Sequence, residues 1–199
     1  MFPVGGYDVM VLGALVAGAV LGLVGWLLAK RLGVAGWAAA AFVWTVVVIA
    51  LVTLIPADAD PGVVLAEDRL PGCSFDIGGP APDGFWIFSG GQRLLNTVAF
   101  VPSGAFLVLA AARWRSAWLT VPAGLVGLAA YSVAIEAVQL ELARIDRACD
   151  ATDVIDNVTG AAVGVGIGLL LALVLRPWRD RHRRRGRAPV GRGAGPGDD

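Results

Sequence analysis

The sequence predicts an all-α, polytopic transmembrane bundle of about five spans, with the N-terminus outside and the C-terminus cytoplasmic. Three observations carry this. Of 199 residues, 57% are hydrophobic and only 16% charged, where soluble proteins average about 25% charged; the mean hydropathy is +0.71. The apolar residues fall into five runs, each long enough to cross a hydrocarbon core of about 30 Å. The cations are segregated, so the formal net charge of zero says little about any one surface.

The first run, Val9–Ala29, is followed by Lys30 and Arg31. A cleavable signal peptide carries its charge before the apolar run, so this one reads as a span, and the positive-inside rule sets its N-terminus outside. Ala14, Gly18 and Gly22 form a small-xxx-small seam suited to close helix packing. The second run, Trp37–Ile55, returns outward and ends at Pro56. Segment 57–93 is acidic and broken by proline and glycine, which is loop chemistry. Within it Phe85, Trp86, Ile87 and Phe88 suit the headgroup level or a short re-entrant piece.

The third run is Leu94–Ala112, with Asn96 in its first turn. Pro102 removes one backbone hydrogen bond and predicts a kink that frees the Val98 carbonyl. Arg113 and Arg115 mark a short basic turn before Ala117–Ile135, the fourth run. The fifth, Val154–Leu175, carries a glycine seam at Gly160, Gly164 and Gly168. Residues 1–175 thus form the bundle. Residues 176–199, rich in arginine and glycine, are expected to be a disordered cytoplasmic tail beside anionic headgroups. Its basic character is a topology signal, and no nucleic-acid partner is expected. With this orientation twelve basic residues lie inside and four outside. No internal repeat is visible, which argues against an inverted-repeat transporter.

The polar residues gather where the fourth run ends and the fifth begins. Ser132, Glu136 and Gln139 are spaced i, i+4, i+7 and share a helix face. Asp150, Asp153, Asn157, Gly160 and Gly164 fall on one stripe of the next helix, with Arg144 and Arg147 in the turn between. With Asn96 from the third run, they define a candidate binding layer at the outer membrane face: Asn96, Ser132, Glu136, Gln139, Arg147, Asp150, Asp153 and Asn157. Ionisable groups at such positions are costly and mark function or a specific paired structure. Both readings stand for each. Glu136 either pairs with Arg147 or Arg144, or contacts a ligand or carries a proton. Asp150 or Thr152 suits an N-cap, and Asn96 and Asn157 suit interhelical hydrogen bonds. Cys73 and Cys149, the two cysteines, both fall in external segments, so a disulfide between them is expected.

The one histidine, His182, lies in the tail, so the layer contains no histidine-based triad or histidine-ligated zinc site. No P-loop or dinucleotide fingerprint occurs. Glu136, Asp146, Asp150 and Asp153 are oxygen donors of the kind Mg²⁺ or Ca²⁺ takes, but their pattern is not specific, and no metal or cofactor is expected.

Two blocks carry a family resemblance. Asn96-T-V-A-F-V-Pro102-S-Gly104 resembles the N-x3-F-x-P-x-G block of the VanZ-like family. Ser132-x3-Glu136-x2-Gln139, followed by Arg147-x2-Asp150-x2-Asp153-x3-Asn157-x2-Gly160, resembles its second block. With their spans the blocks cover about residues 90–175. Ser103, between Pro and Gly, and Cys149, before the aspartate, depart from the family pattern. The family is similar to a membrane protein associated with low-level resistance to the glycopeptide teicoplanin. The resemblance implies a multi-pass protein of the bacterial plasma membrane and cell envelope. It would bind a lipid or lipid-linked headgroup at the outer polar layer, its partners being membrane lipids and a lipid-linked cell-wall precursor or a glycopeptide. The alternative is a small membrane enzyme acting on a lipid-linked envelope intermediate, with Glu136 as acid/base and Arg147 holding an anionic group.

Overall fold

Apolar runs of this length satisfy their backbone groups internally only as helices, because hydrocarbon offers no hydrogen-bond partners. A computed structural model of the chain describes residues 5–56, 73, 75, 91–141 and 150–178, the side chains of Gln92 and Glu141 aside. Among them are five helices and no strand: α1 Tyr7–Leu32, α2 Val34–Leu54, α3 Gly91–Ala111, α4 Ala117–Glu141 and α5 Ala151–Leu175. All five are long and apolar enough to cross a membrane. Outward-facing Leu170 and Val174 on α5 are 67% and 78% exposed, as suits a lipid-facing surface.

The helix ends differ from the sequence reading at three places. α1 and α2 are separated by Gly33 alone, at φ 61° and ψ −135°. That backbone conformation needs a residue without Cβ, and it turns the chain without the longer linker expected. Gly36 then rests on the Leu28–Ala29 backbone, with no room for a side chain. α3 begins at Gly91, so Gly91 and Arg93 are helical and not part of the loop. α4 continues past Ile135 to Glu141, which keeps Glu136 and Gln139 on regular helix. Pro102 lies on the exposed side of α3, which remains assigned as helix through it.

α3 and α5 pack in parallel, and glycine brings their backbones together. A Cβ on Gly160 would collide with the Thr97 carbonyl, on Gly164 with that of Val101, and on Gly168 with that of Ala105. From the other side, Gly104 abuts the Ala161 carbonyl. Each step advances four residues on both helices, the spacing that keeps one face in register. Between apolar helices in lipid, such close packing and interhelical hydrogen bonds supply the association that the hydrophobic effect cannot.

α2 and α4 close the bundle. The Ser103 hydroxyl on α3, fully buried, donates to Thr45 Oγ1 on α2 at 3.0 Å, and the Thr45 hydroxyl in turn donates to the Phe42 carbonyl at 2.7 Å. The Tyr131 hydroxyl on α4 donates to the Val46 carbonyl at 2.8 Å. Phe100, Leu107, Leu128, Ile135 and Ile49 form the core between these helices. Ser103, a departure from the family block, is thus accommodated by a hydroxyl partner across the interface.

Among the described residues α1 packs chiefly on α2. Trp44 Nε1 donates to the Ala14 carbonyl at 2.9 Å, and its indole lies over Gly18. The expected Ala14–Gly18–Gly22 seam ends there. Trp37 instead covers Gly25, and Gly22 has nothing within 4 Å. Two bulky indoles on α2 hold the helices apart at this point, leaving an apolar recess of about 280 Å³.

Helix direction alternates, so the charges sort by end. Lys30 and Arg31 lie in the last turn of α1, and Arg113, Arg115 and Arg176 follow the C-terminal ends of α3 and α5; Arg113 Nη1 donates to the Leu32 carbonyl at 3.0 Å. Glu136, Asp150, Asp153 and Asp156 occupy the opposite end, where Gly6 N–H donates to the Pro56 carbonyl at 2.9 Å. Cys73 is disulfide-bonded; its expected partner, Cys149, lies outside the described residues, as do Phe85–Phe88 and the tail beyond Trp178.

Gly164→Leu should prevent the α3–α5 approach and lower the melting temperature of the detergent-solubilised protein by more than about 10 °C, from a cost of several kcal/mol. Gly166→Leu, where nothing lies within 4 Å, should leave it nearly unchanged. Thermal scanning of both variants decides the point. Intact protein should take up no alkylating reagent at Cys73 until reduced, read as a mass shift.

Candidate functional site

The acidic end of the bundle is built on three helix termini. Asp150 is the N-cap of α5: its side chain accepts from the Thr152 N–H at 2.8 Å. Such caps satisfy an N–H that the helix leaves unpaired. The Asp150 N–H in turn donates to Glu136 Oε2 at 3.1 Å. Glu136 is only 4% exposed, so its carboxylate sits inside the bundle against the positive end of the α5 dipole, a favourable place for it. One turn back on α4, Ser132 Oγ accepts from Asn157 Nδ2 at 2.9 Å, and both residues are buried. Gln139 turns the other way, with Nε2 donating to the Thr53 carbonyl of α2 at 2.9 Å.

The strongest polar contact at this end involves two residues outside the predicted layer. Arg93 in the first turn of α3 grips Asp156 of α5 in a two-point contact, Nε to Oδ2 at 2.8 Å and Nη2 to Oδ1 at 2.9 Å. Asp156 is completely buried, while the Arg93 side chain is 18% exposed. The paired geometry is the one in which guanidinium and carboxylate bind most firmly. It extends the glycine seam by one turn, since Asp156 lies four residues before Gly160 and Arg93 four before Thr97. That periodicity was the available signal. The sequence reading drew the α5 stripe through Asp150, Asp153, Asn157, Gly160 and Gly164, which shares Gly160 and Gly164 with the face that meets α3 but passes over Asp156, and left Arg93 in the loop.

The predicted residues therefore divide. Ser132 and Asn157 touch, and Glu136 and Asp150 touch. Gln139 binds α2. Asp153 is half-buried in the first turn of α5, with its N–H on the Asp150 carbonyl at 3.1 Å. Arg147 and Arg144 lie outside the described residues, so the pairing expected between either of them and Glu136 does too. Asn96 is set apart: its Nδ2 is buried and meets no hydrogen-bond partner among the described residues. On α3 it shares a face with Phe100 and Ser103, the face turned to α2 and α4. Among the described residues no group of three His, Cys, Asp or Glu side chains is arranged to hold a metal ion.

Asp156→Asn should destabilise the protein by on the order of 3 kcal/mol, because it strands a guanidinium whose partner was buried. Arg93→Met with Asp156→Leu should recover most of that loss. Arg93→Met, Asp156→Leu and the double variant are read as a double-mutant cycle in detergent unfolding; additive losses would show that the two side chains are not coupled.

The VanZ/LLP1 family model matches residues 42–173 of the chain. The match takes in most of α2, the whole of α3 and α4, and α5 as far as Leu173, and leaves α1 and the tail outside. No curated protein and no solved structure matches the chain. The matched region contains every helix that builds the polar end, and the chain belongs to the VanZ/LLP1 family.

Proposed function

We propose that this is a multi-pass protein of the bacterial plasma membrane whose acidic end faces outward and holds the headgroup of a membrane lipid or a lipid-linked envelope intermediate. The observation that carries the reading is the concentration of buried polar groups at one end of an otherwise apolar bundle. Arg93–Asp156, Ser132–Asn157 and Glu136–Asp150 all lie within about two turns of the α5 N-terminus. The basic opposite end, with the arginine-rich tail attached to it, supports a cytoplasmic C-terminus.

Binding is preferred to catalysis because the carboxylate best placed for acid–base work, Glu136, is engaged by the N–H of the α5 cap residue. A group so held positions a helix. Through occupation of an envelope headgroup, the protein would alter how a glycopeptide such as teicoplanin reaches its target.

Reconstituted protein in nanodiscs should retain lipids with a polar headgroup over diacylglycerol, by native mass spectrometry. Ser132→Ala with Asn157→Leu should weaken that retention several-fold. A deletion strain should change in envelope lipid profile and teicoplanin sensitivity, and complementation should restore both. Retention that ignores the headgroup would end the proposal.

A further inference from the structure

The recess between α1 and α2 is a built feature of the fold. Gly18 and Gly22 on α1 and Trp37 and Trp44 on α2 bound it. The helices cannot close over it, because the Trp44 indole is tied to the Ala14 carbonyl and the Trp37 ring fills the space beside Gly25. Its volume of about 280 Å³ exceeds the roughly 150 Å³ that admits a benzene molecule. Water needs polar partners to occupy a cavity, and the lining is glycine, alanine, leucine and tryptophan. Hydrocarbon therefore fills it.

Depth and charge identify that hydrocarbon. Gly22 lies nine residues before Arg31, about 14 Å along the axis at 1.5 Å per residue. One leaflet of a hydrocarbon core of about 30 Å is about 15 Å deep. The recess thus sits where a chain would end if its headgroup lay at the basic end of the bundle. Gly22, Trp26 and Lys30 are spaced i, i+4, i+8 and share one face of α1. The Lys30 ammonium lies 3.4 Å from the centroid of the Trp26 ring. That contact holds the charge over the strip leading down to the recess, and a ring contact leaves the ammonium its full charge. Arg113 adds a second cation beside the end of α1, through its bond to the Leu32 carbonyl. Among the described residues this end carries Lys30, Arg31, Arg113, Arg115 and Arg176 and no acidic side chain. Such a field draws an anionic headgroup. It opposes the other candidate occupant, α1 of a second copy: a two-fold axis along the membrane normal would bring the same cations together.

We infer that the recess holds one acyl chain of an anionic phospholipid from the leaflet at the basic end, with its phosphate above the Lys30–Trp26 stack. This site is separate from the headgroup layer at the acidic end and does not depend on it.

The test moves the full chain from nanodiscs of equal phosphatidylglycerol and phosphatidylcholine content into detergent and identifies retained lipid by native mass spectrometry. The wild type should keep phosphatidylglycerol over phosphatidylcholine by at least about fivefold, the factor that one lysine near an anionic surface supplies. Gly22→Leu should lose that lipid, because leucine takes up space in which nothing now lies within 4 Å. Its melting temperature in lipid-free detergent should match the wild type. Lys30→Met should keep a lipid and lose the choice between headgroups. Equal retention of both lipids by the wild type would overturn the inference, as would phosphatidylglycerol retention unchanged in Gly22→Leu or a preference that survives in Lys30→Met. A dimer that Gly22→Leu dissolves would put a second copy in the recess instead. A fall in the melting temperature of Gly22→Leu would show that the recess is not open space, and would equally overturn it.

Discussion

Contact between the backbones of α3 and α5 is the constraint on which the rest of the molecule depends. Gly104 on one helix and Gly160, Gly164 and Gly168 on the other remove the side chains that would hold them apart. At that distance the first turns of both helices are brought into register, and Arg93 meets Asp156 with both pairs of atoms below 3 Å. The ion pair is thus a product of the seam as well as its end stop. Were the helices wider apart, an aspartate with no solvent exposure would lose the Arg93 guanidinium, a costly arrangement anywhere and more so beside hydrocarbon.

The same geometry explains how the described helices hold the polar end together. α5 starts at Asp150, whose N–H is anchored by Glu136 of α4, and α4 is fastened to α2 through Gln139 and Tyr131. Each bond ties a side chain on one helix to a backbone group on another. Backbone groups cannot be displaced independently of their helix, so these contacts fix position along the axis, while the glycine faces fix distance across it.

The five helices were legible in the sequence because apolar length is a one-dimensional signal. So was the alternation of charge, and so was the glycine seam of α5. The α1 seam was misread at Gly22, because small residues permit close approach without requiring it, and what decides is the neighbour: here two tryptophans on α2. Glu136, Ser132, Asn157 and Asp150 were legible by spacing, and the contacts they make were not, since spacing gives a face and not a partner. Arg93 and Asp156 were missed for a related reason. A proline- and glycine-rich segment precedes Arg93, which disguised the first turn of α3, and the stripe drawn on α5 steps back from Gly160 to Asn157, which meets α4, and not to Asp156, which meets α3. Ser103 is the converse case. It departs from the family pattern, and its reason, Thr45, lies on a helix that the motif blocks do not include.

The parallel arrangement of α3 and α5 has a bearing on biogenesis. Two adjacent helices that run the same way cannot be joined by a hairpin, and α4 must cross the whole membrane between them. During synthesis α3 leaves the ribosome with its glycine-matched face and its arginine uncovered, and both stay so until α5 emerges some forty residues later. Insertion of α5 therefore completes the interior in one event, and a nascent chain stopped before it would lack the aspartate that Arg93 grips.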